Sequence, residues 1–182
     1  MKKQFGAPFP PDSTTDTFLR VQLFDGPLEM NWAHCGATAE FLGDFNAALV
    51  SAQKLDANDA RHSIAYLSNE LMENAVKFRA GGDVSLSTSI DGNEFTFRLT
   101  NDAAPETAAR FETLLNELTS QDPGDLLIKK IEANALDPDS SGSGLGILTL
   151  MNDYGARIGW TFSQATSDAN VRIQSVATLT LS

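Results

Sequence analysis

Glu70, Asn74 and Lys77, in the segment NELMENAVKF (residues 69–78), stand four and then three residues apart. On an α-helix this spacing puts a carboxylate, an amide and an ammonium on one face. Leu71, Ala75 and Phe78 fall on the other side, suited to a core. The polar face can wall a metal and phosphate site. The Asn74 amide oxygen suits Mg2+, a hard cation that keeps several of its waters. Glu70 can hold a metal-bound water or accept a proton as general base, and Lys77 can neutralise phosphate as a point charge. The same residues also describe an ordinary amphipathic helix with a solvated face, on which Glu73 and Lys77 make an i,i+4 pair.

A second segment, SSGSGLGILTLMNDYG (residues 140–155), places Gly142, Gly144 and Gly146 at alternate positions just before an apolar helical pattern. Glycine lets the backbone approach a ligand closely and adopt positive φ. The helix that follows from about Leu145 presents free N–H groups to an anion, with Ser140, Ser141 and Ser143 as further donors. The run follows a loop rather than a strand, so it is not a dinucleotide-binding fingerprint. No Gly-Lys-Ser/Thr follows, so it is not a P-loop. By itself it is also a plain flexible loop before a helix.

These segments need elements to hold them. Residues 1–16 (MKKQFGAPFPPDSTTD) read as a loose leader. Leu19, Val21 and Leu23 alternate within 17–24, Asp25-Gly26-Pro27 turns the chain, and Leu28, Met30 and Trp32 alternate again, which predicts a short hairpin. Helical spacing covers residues 35–52 and about 60–79, the latter stopped by Gly81-Gly82. A second hairpin runs from Val84 to Leu99 around Asp91-Gly92. Helices are expected at 105–118, with Pro105 in the first turn, and at about 125–135. Strands around Ile158–Phe162 and Val171–Leu181 close the chain. The order ββ-α-α-ββ-α-α-α-ββ predicts one α/β domain over 17–182: a two-layer sandwich with a mixed, mostly antiparallel sheet and helices on one face.

Composition narrows the partners. A net charge of −11, from 24 acids and 13 bases, argues against nucleic acid and against anionic membrane surfaces. It leaves room for a nucleotide held by backbone N–H groups and a cation, and for a protein partner with a basic patch. No apolar segment approaches the roughly 20 residues of a membrane span. With no export signal in the first residues, the cytoplasm is the expected compartment. The single cysteine, Cys35, makes no internal disulfide and is expected to be a structural thiol. His34 and His62 are likewise expected to be structural.

Taken together, the two glycine- and acid-bearing segments resemble the Bergerat-fold (GHKL) ATPase and kinase superfamily, which includes sensor histidine kinases, DNA gyrase and MutL. ELMEN (70–74) looks like the family's N box and GSGLG (142–146) like its second glycine box, and the order of elements fits over about residues 60–181. The resemblance implies ATP with Mg2+ held by Asn74 and Glu70. It implies an adenine contact at the end of the third strand, where LTNDAAPE (99–106) offers Asn101, with Asp102 one step later, in place of the family's aspartate and spaced glycines. It implies phosphate contacts from Gly142, Ser143, Gly144, Leu145 and Gly146, and an ATP lid over residues 102–141. The closest branch is the stand-alone anti-sigma-type and SiaB-type serine/threonine kinases. There the acid at the position of Glu70 is the proposed base and the substrate is a small regulatory protein; Lys77 would assist. Two alternatives stay open: a non-catalytic regulator, nucleotide-gated or nucleotide-free, and a plain ATPase. Strands 17–32 either pair between subunits of a homodimer or complete the sheet.

Overall fold

The computed structural model describes residues 2–9, 17–24, 31–53, 55–136, 144–166 and 169–182. The elements run β1 (Lys2–Gly6), β2 (Thr17–Leu23), α1 (Trp32–Ser51), α2 (Ala57–Phe78), β3 (Val84–Asp91), β4 (Glu94–Ala103), α3 (Pro105–Leu118), α4 (Pro123–Leu136), α5 (Leu145–Asn152), β5 (Arg157–Ser163) and β6 (Val171–Thr180). The strands make one six-stranded sheet in the order β1-β5-β6-β4-β3-β2. Neighbours along it are antiparallel, so the expected mixed sheet has no parallel pairing among the described strands. Helices cover one face, as the alternation of apolar residues requires. Phe95, Phe97, Leu99, Asn101 and Ala103 of β4 are buried at every second position, and Val171, Ile173, Ser175, Ala177 and Leu179 repeat the pattern on β6. No helix among the described residues is long and apolar enough to cross a membrane.

Two expectations at the N-terminus are corrected. Within the leader, residues 2–6 form edge strand β1, paired with β5 from Lys2↔Ser163 to Gly6↔Gly159. Its single large apolar residue, Phe5, meets Phe162 edge-on at 5.4 Å, and Gly6 turns away at φ 70 where a side chain would strike the Ile158 carbonyl. The second strand expected at 28–32 has no counterpart in its described part: Trp32 opens α1. The reason is a capping box, in which Asn31 accepts from Ala33 N and the His34 ring accepts from Asn31 N at 3.1 Å. Residues 25–30 lie outside the described residues. β2 pairs with β3, completing the sheet of its own chain.

The helices that position the site are fixed by ordinary means. Asp56 caps α2 by accepting from Asn58 N and Asp59 N. Gly43 brings α1 close to α2, since a methyl group there would lie 2.8 Å from the Arg61 carbonyl oxygen. Buried Asn46 ties α1 to β3, accepting from the Thr88 hydroxyl at 3.3 Å. Cys35 is fully buried, and burial with the nearby Glu73 charge pushes its thiol up to about 11, so it packs as a neutral side chain.

The α3 part of the expected lid is built into this core, while α4 buries only Leu126. Residues 102 and 103 end β4, and α3 buries Ala108, Phe111, Leu115 and Leu118. Phe111 stacks on Phe78 of α2 at 4.4 Å and meets Trp160 and Phe162 of β5 at 6.4 and 5.8 Å. Removing so enclosed a ring leaves a cavity in addition to the lost burial. Phe111→Ala should therefore lower unfolding stability by about 3–5 kcal/mol in urea titrations. A loss below about 1 kcal/mol would mean that α3 is a detachable flap.

Candidate functional site

The two segments singled out by residue type meet directly. The Glu70 carboxyl lies where the Cβ of residue 146 would be, packed on the Cα of Gly146 in the first turn of α5. A side chain at 146 and a carboxyl at 70 in this pose exclude one another. One helical turn before Glu70, the Tyr66 phenol lies near its carboxyl and near Thr149 of α5, close enough for each to influence the other's proton affinity. The Tyr66 ring stacks on Tyr154, just beyond α5, with centroids 5.1 Å apart. The helices α2 and α5 thus meet through the Glu70 carboxyl on Gly146 and the Tyr66 ring on Tyr154.

The electrostatics of this joint are set mainly by desolvation. Burial raises the Glu70 carboxyl above its ordinary range, repulsion from Glu73 adds to the rise, and the nearby Tyr66 hydroxyl opposes it. Burial also raises the Tyr66 phenol, assisted by Glu70 and opposed by the nearby Thr149 hydroxyl, so it stays neutral. Glu73 is drawn toward Asn69, whose Nδ2 donates to it at 2.8 Å.

Asn74 is half-buried one turn after Glu70, and its Nδ2 donates to the Glu70 carbonyl at 2.7 Å. That bond orients the amide and leaves Oδ1 as the atom able to meet a cation. Among the described residues no group of three or more His, Cys, Asp or Glu side chains could hold a metal ion. The described donors therefore do not form an all-protein metal cage. Lys77 is exposed, with its ammonium 5.6 Å from the centre of the adjacent Phe78 ring.

The two adenine candidates part company. Asn101 points from β4 toward the helices; it is 4% exposed, and its Nδ2 is buried without a hydrogen-bond partner. Asp102, next in the strand, belongs to the opposite face, where it pairs with Arg172 across β6 at 3.1 and 3.4 Å. Of the glycine run, Gly142 and Ser143 lie outside the described residues. Gly144 is the N-cap of α5 at φ 92, where a methyl group would come within 2.8 Å of Leu118 on α3. Leu145 and Gly146 open the helix, whose first turn is capped by no side chain.

Tyr66, Thr149 and Tyr154 escaped the sequence reading. Tyr66 did carry a signal: it stands four residues before Glu70 and so shares its helical face. Thr149 and Tyr154 become neighbours only through the tertiary crossing of α5. Comparison of the chain with family models, with curated proteins and with solved structures found no match.

Two outcomes check the joint. Alanine is the better helix former than glycine by up to about 1 kcal/mol, so Gly146→Ala would stabilise an open helix. Here it should destabilise by about 1–3 kcal/mol, because the Glu70 carboxyl must move. The pH dependence has a definite sign. With its folded value raised, Glu70 binds its proton more tightly in the folded state, so stability falls as pH rises from the unfolded value through the folded one. Glu70→Gln should remove this component: relative to the variant, the wild-type melting temperature should decline as pH goes from about 4 toward neutrality.

Proposed function

We propose that this chain binds ATP with Mg2+ and acts as a serine/threonine kinase on a small regulatory protein, in the manner of the stand-alone Bergerat-fold kinases it resembles. The observation that carries the reading is the seating of Glu70 against Gly146. Residues chosen for their chemistry, far apart in sequence, come together where an uncapped helix start adjoins a desolvated carboxyl.

On this reading the first turn of α5, from Gly144 to Gly146, offers backbone N–H groups to the phosphates, with Lys77 supplying positive charge on the same face of α2. Asn74 Oδ1 holds Mg2+, which when bound neutralises charge developing on the transferred phosphoryl group. Asn101 contacts the base and Asp102, on the far face, does not. The partner's serine or threonine hydroxyl oxygen forms the new bond to the γ-phosphorus, the bond to the ADP oxygen breaks, and the hydroxyl proton passes to Glu70. A carboxyl whose proton affinity is raised by burial is better matched to that proton transfer than a solvated one.

A second reading, a non-catalytic regulator of the same fold, is favoured by one observation: a neutral amide, Asn101, is sealed in at the place of the family's charged base reader. Calorimetric titration with ATP at millimolar Mg2+ separates the two. The kinase reading expects binding, transfer of labelled γ-phosphate to a captured partner, and a loss of transfer of roughly 100-fold or more in Glu70→Gln with ATP binding retained. Absence of ATP binding sinks it. Binding without transfer favours the nucleotide-gated regulator.

A further inference from the structure

The sheet ends differently at its two sides. β1 and β2 are the outer strands, and no described strand lies beyond either. An open edge presents unpaired backbone N–H and C=O groups and invites a further strand, unless lysines or an early exit of the chain blunt it. β1 is blunted in both ways. It carries Lys2 and Lys3, with Lys3 drawn to Glu112 at 2.6 Å, and Gly6 turns away at φ 70. β2 has neither device. Across residues 19–23 its one charge is Arg20. Leu19, Val21 and Leu23 face the helix layer only half-buried, whereas Leu86 and Val84, opposite Val21 and Leu23 on β3, are buried.

The helix above this edge leaves an apolar flank beside it. α1 packs on α2 through Gly43 and lies over β3, where Asn46 meets Thr88. Phe41 and Phe45 stand two residues before and two after Gly43, about 200° round the helix from it. Both therefore lie on the flank turned away from α2, toward β2. Their rings are 6.0 Å apart, and Phe41 is 49% exposed. Phe24, next after β2, is 74% exposed. An open strand edge and exposed aromatic rings thus share one side of the molecule.

We propose that the β2 edge joins two copies of this chain, antiparallel about a twofold axis at Val21, so that the two six-stranded sheets run on as one. The register follows from the strand itself. A twofold at Val21 sets Val21 against Val21, Leu19 against Leu23 and Arg20 against Gln22 of the second copy. The apolar residues then meet on the helix side. On the other side each guanidinium meets an amide that its own chain holds against Asp83 at 3.5 Å, so the cation approaches an acid rather than its twin. A twofold at Arg20 would oppose the two arginines, and one at Gln22 would leave Leu19 without a strand partner. The opposing term is the charge of the whole chain. Each copy carries −11, so the copies repel at low salt, and the contact should tighten as salt screens them. The contact is independent of the proposed nucleotide site between α2 and α5.

Sedimentation equilibrium of the full chain without nucleotide tests this. At about 100 µM, well above a micromolar Kd, it should show twice the chain mass, with association roughly threefold or more tighter in about 0.5 M than in about 0.05 M NaCl. Val21→Lys sets two ammonium groups at the axis and should give a monomer with the wild-type circular dichroism spectrum, while Gln4→Lys on β1 should stay dimeric. Hydrogen exchange on the wild type checks the edge without any substitution: amides within residues 19–23 should exchange faster on dilution. A monomer at both salt concentrations, a folded Val21→Lys that still dimerises, or exchange at 19–23 that ignores concentration overturns the assignment. The first of these leaves the edge to a strand from a different protein.

Discussion

The carboxyl of Glu70 and the bare Cα of Gly146 share a space that only one side chain can fill. That exclusion sets how closely α2 and α5 approach, and much of the surrounding structure answers to it. Gly144 must take φ 92 to swing the chain into α5 at the right height, and it has no room for a side chain because Leu118 of α3 lies against it. At its other end α5 is clasped by α4: a methyl group on Gly124 would come within 2.6 Å of Asn152 Oδ1. After α5 the chain turns at once into β5, an inner strand of the sheet. A short helix of eight residues thus has α2, α3 and α4 packed against it.

This precision is obtained against an opposing force. A carboxyl taken out of water beside another carboxyl is held at a cost, which the rise in its proton affinity expresses. Local hydrogen bonding does not offset that cost. The core beneath does: Phe78, on the apolar side of the helix that carries Glu70, is stacked on Phe111 and through it on Trp160 and Phe162. The element α3, within the expected lid 102–141, supplies the central ring of that packing.

What the residues reveal in advance follows the range of the interaction. The face of α2, the hairpin around Gly92 and the alternation on β4 and β6 are coded by periods of 3.6 and 2, and these were legible. Strand β1 was not, because KKQFG carries one large apolar residue and is a strand by virtue of its backbone pairing with β5. The alternating Leu28, Met30 and Trp32 misled for the opposite reason. A local pattern of period 2 lost, at Trp32, to the capping box of Asn31 and His34. The choice between Asn101 and Asp102 was decidable from alternation alone, since only one of two adjacent strand residues can face the helices. The joint with Thr149 and Tyr154 was beyond reach, because it depends on where an eight-residue helix crosses another far away in sequence.

The parting of Asn101 and Asp102 has a further consequence for how the proposed site would divide its labour. Asp102 is neutralised by Arg172 on the sheet face away from the helices, so its charge is directed to the far side of β4. On the helix side the strand offers an uncharged amide with a donor left unsatisfied, a state that costs about 1–3 kcal/mol when buried and that a ligand acceptor would relieve. On α2 the carboxyl of Glu70 faces the start of α5, with Glu73 and Lys77 elsewhere on the same helix. A nucleotide bound between them would meet neutral hydrogen bonding at one end and charge at the other. Discrimination at the base would then rest on the fit of one amide, while the position of the Glu70 carboxyl would rest on Gly146. The two ends can vary independently, because one is set by the register of β4 on β6 and the other by the crossing of α5 on α2.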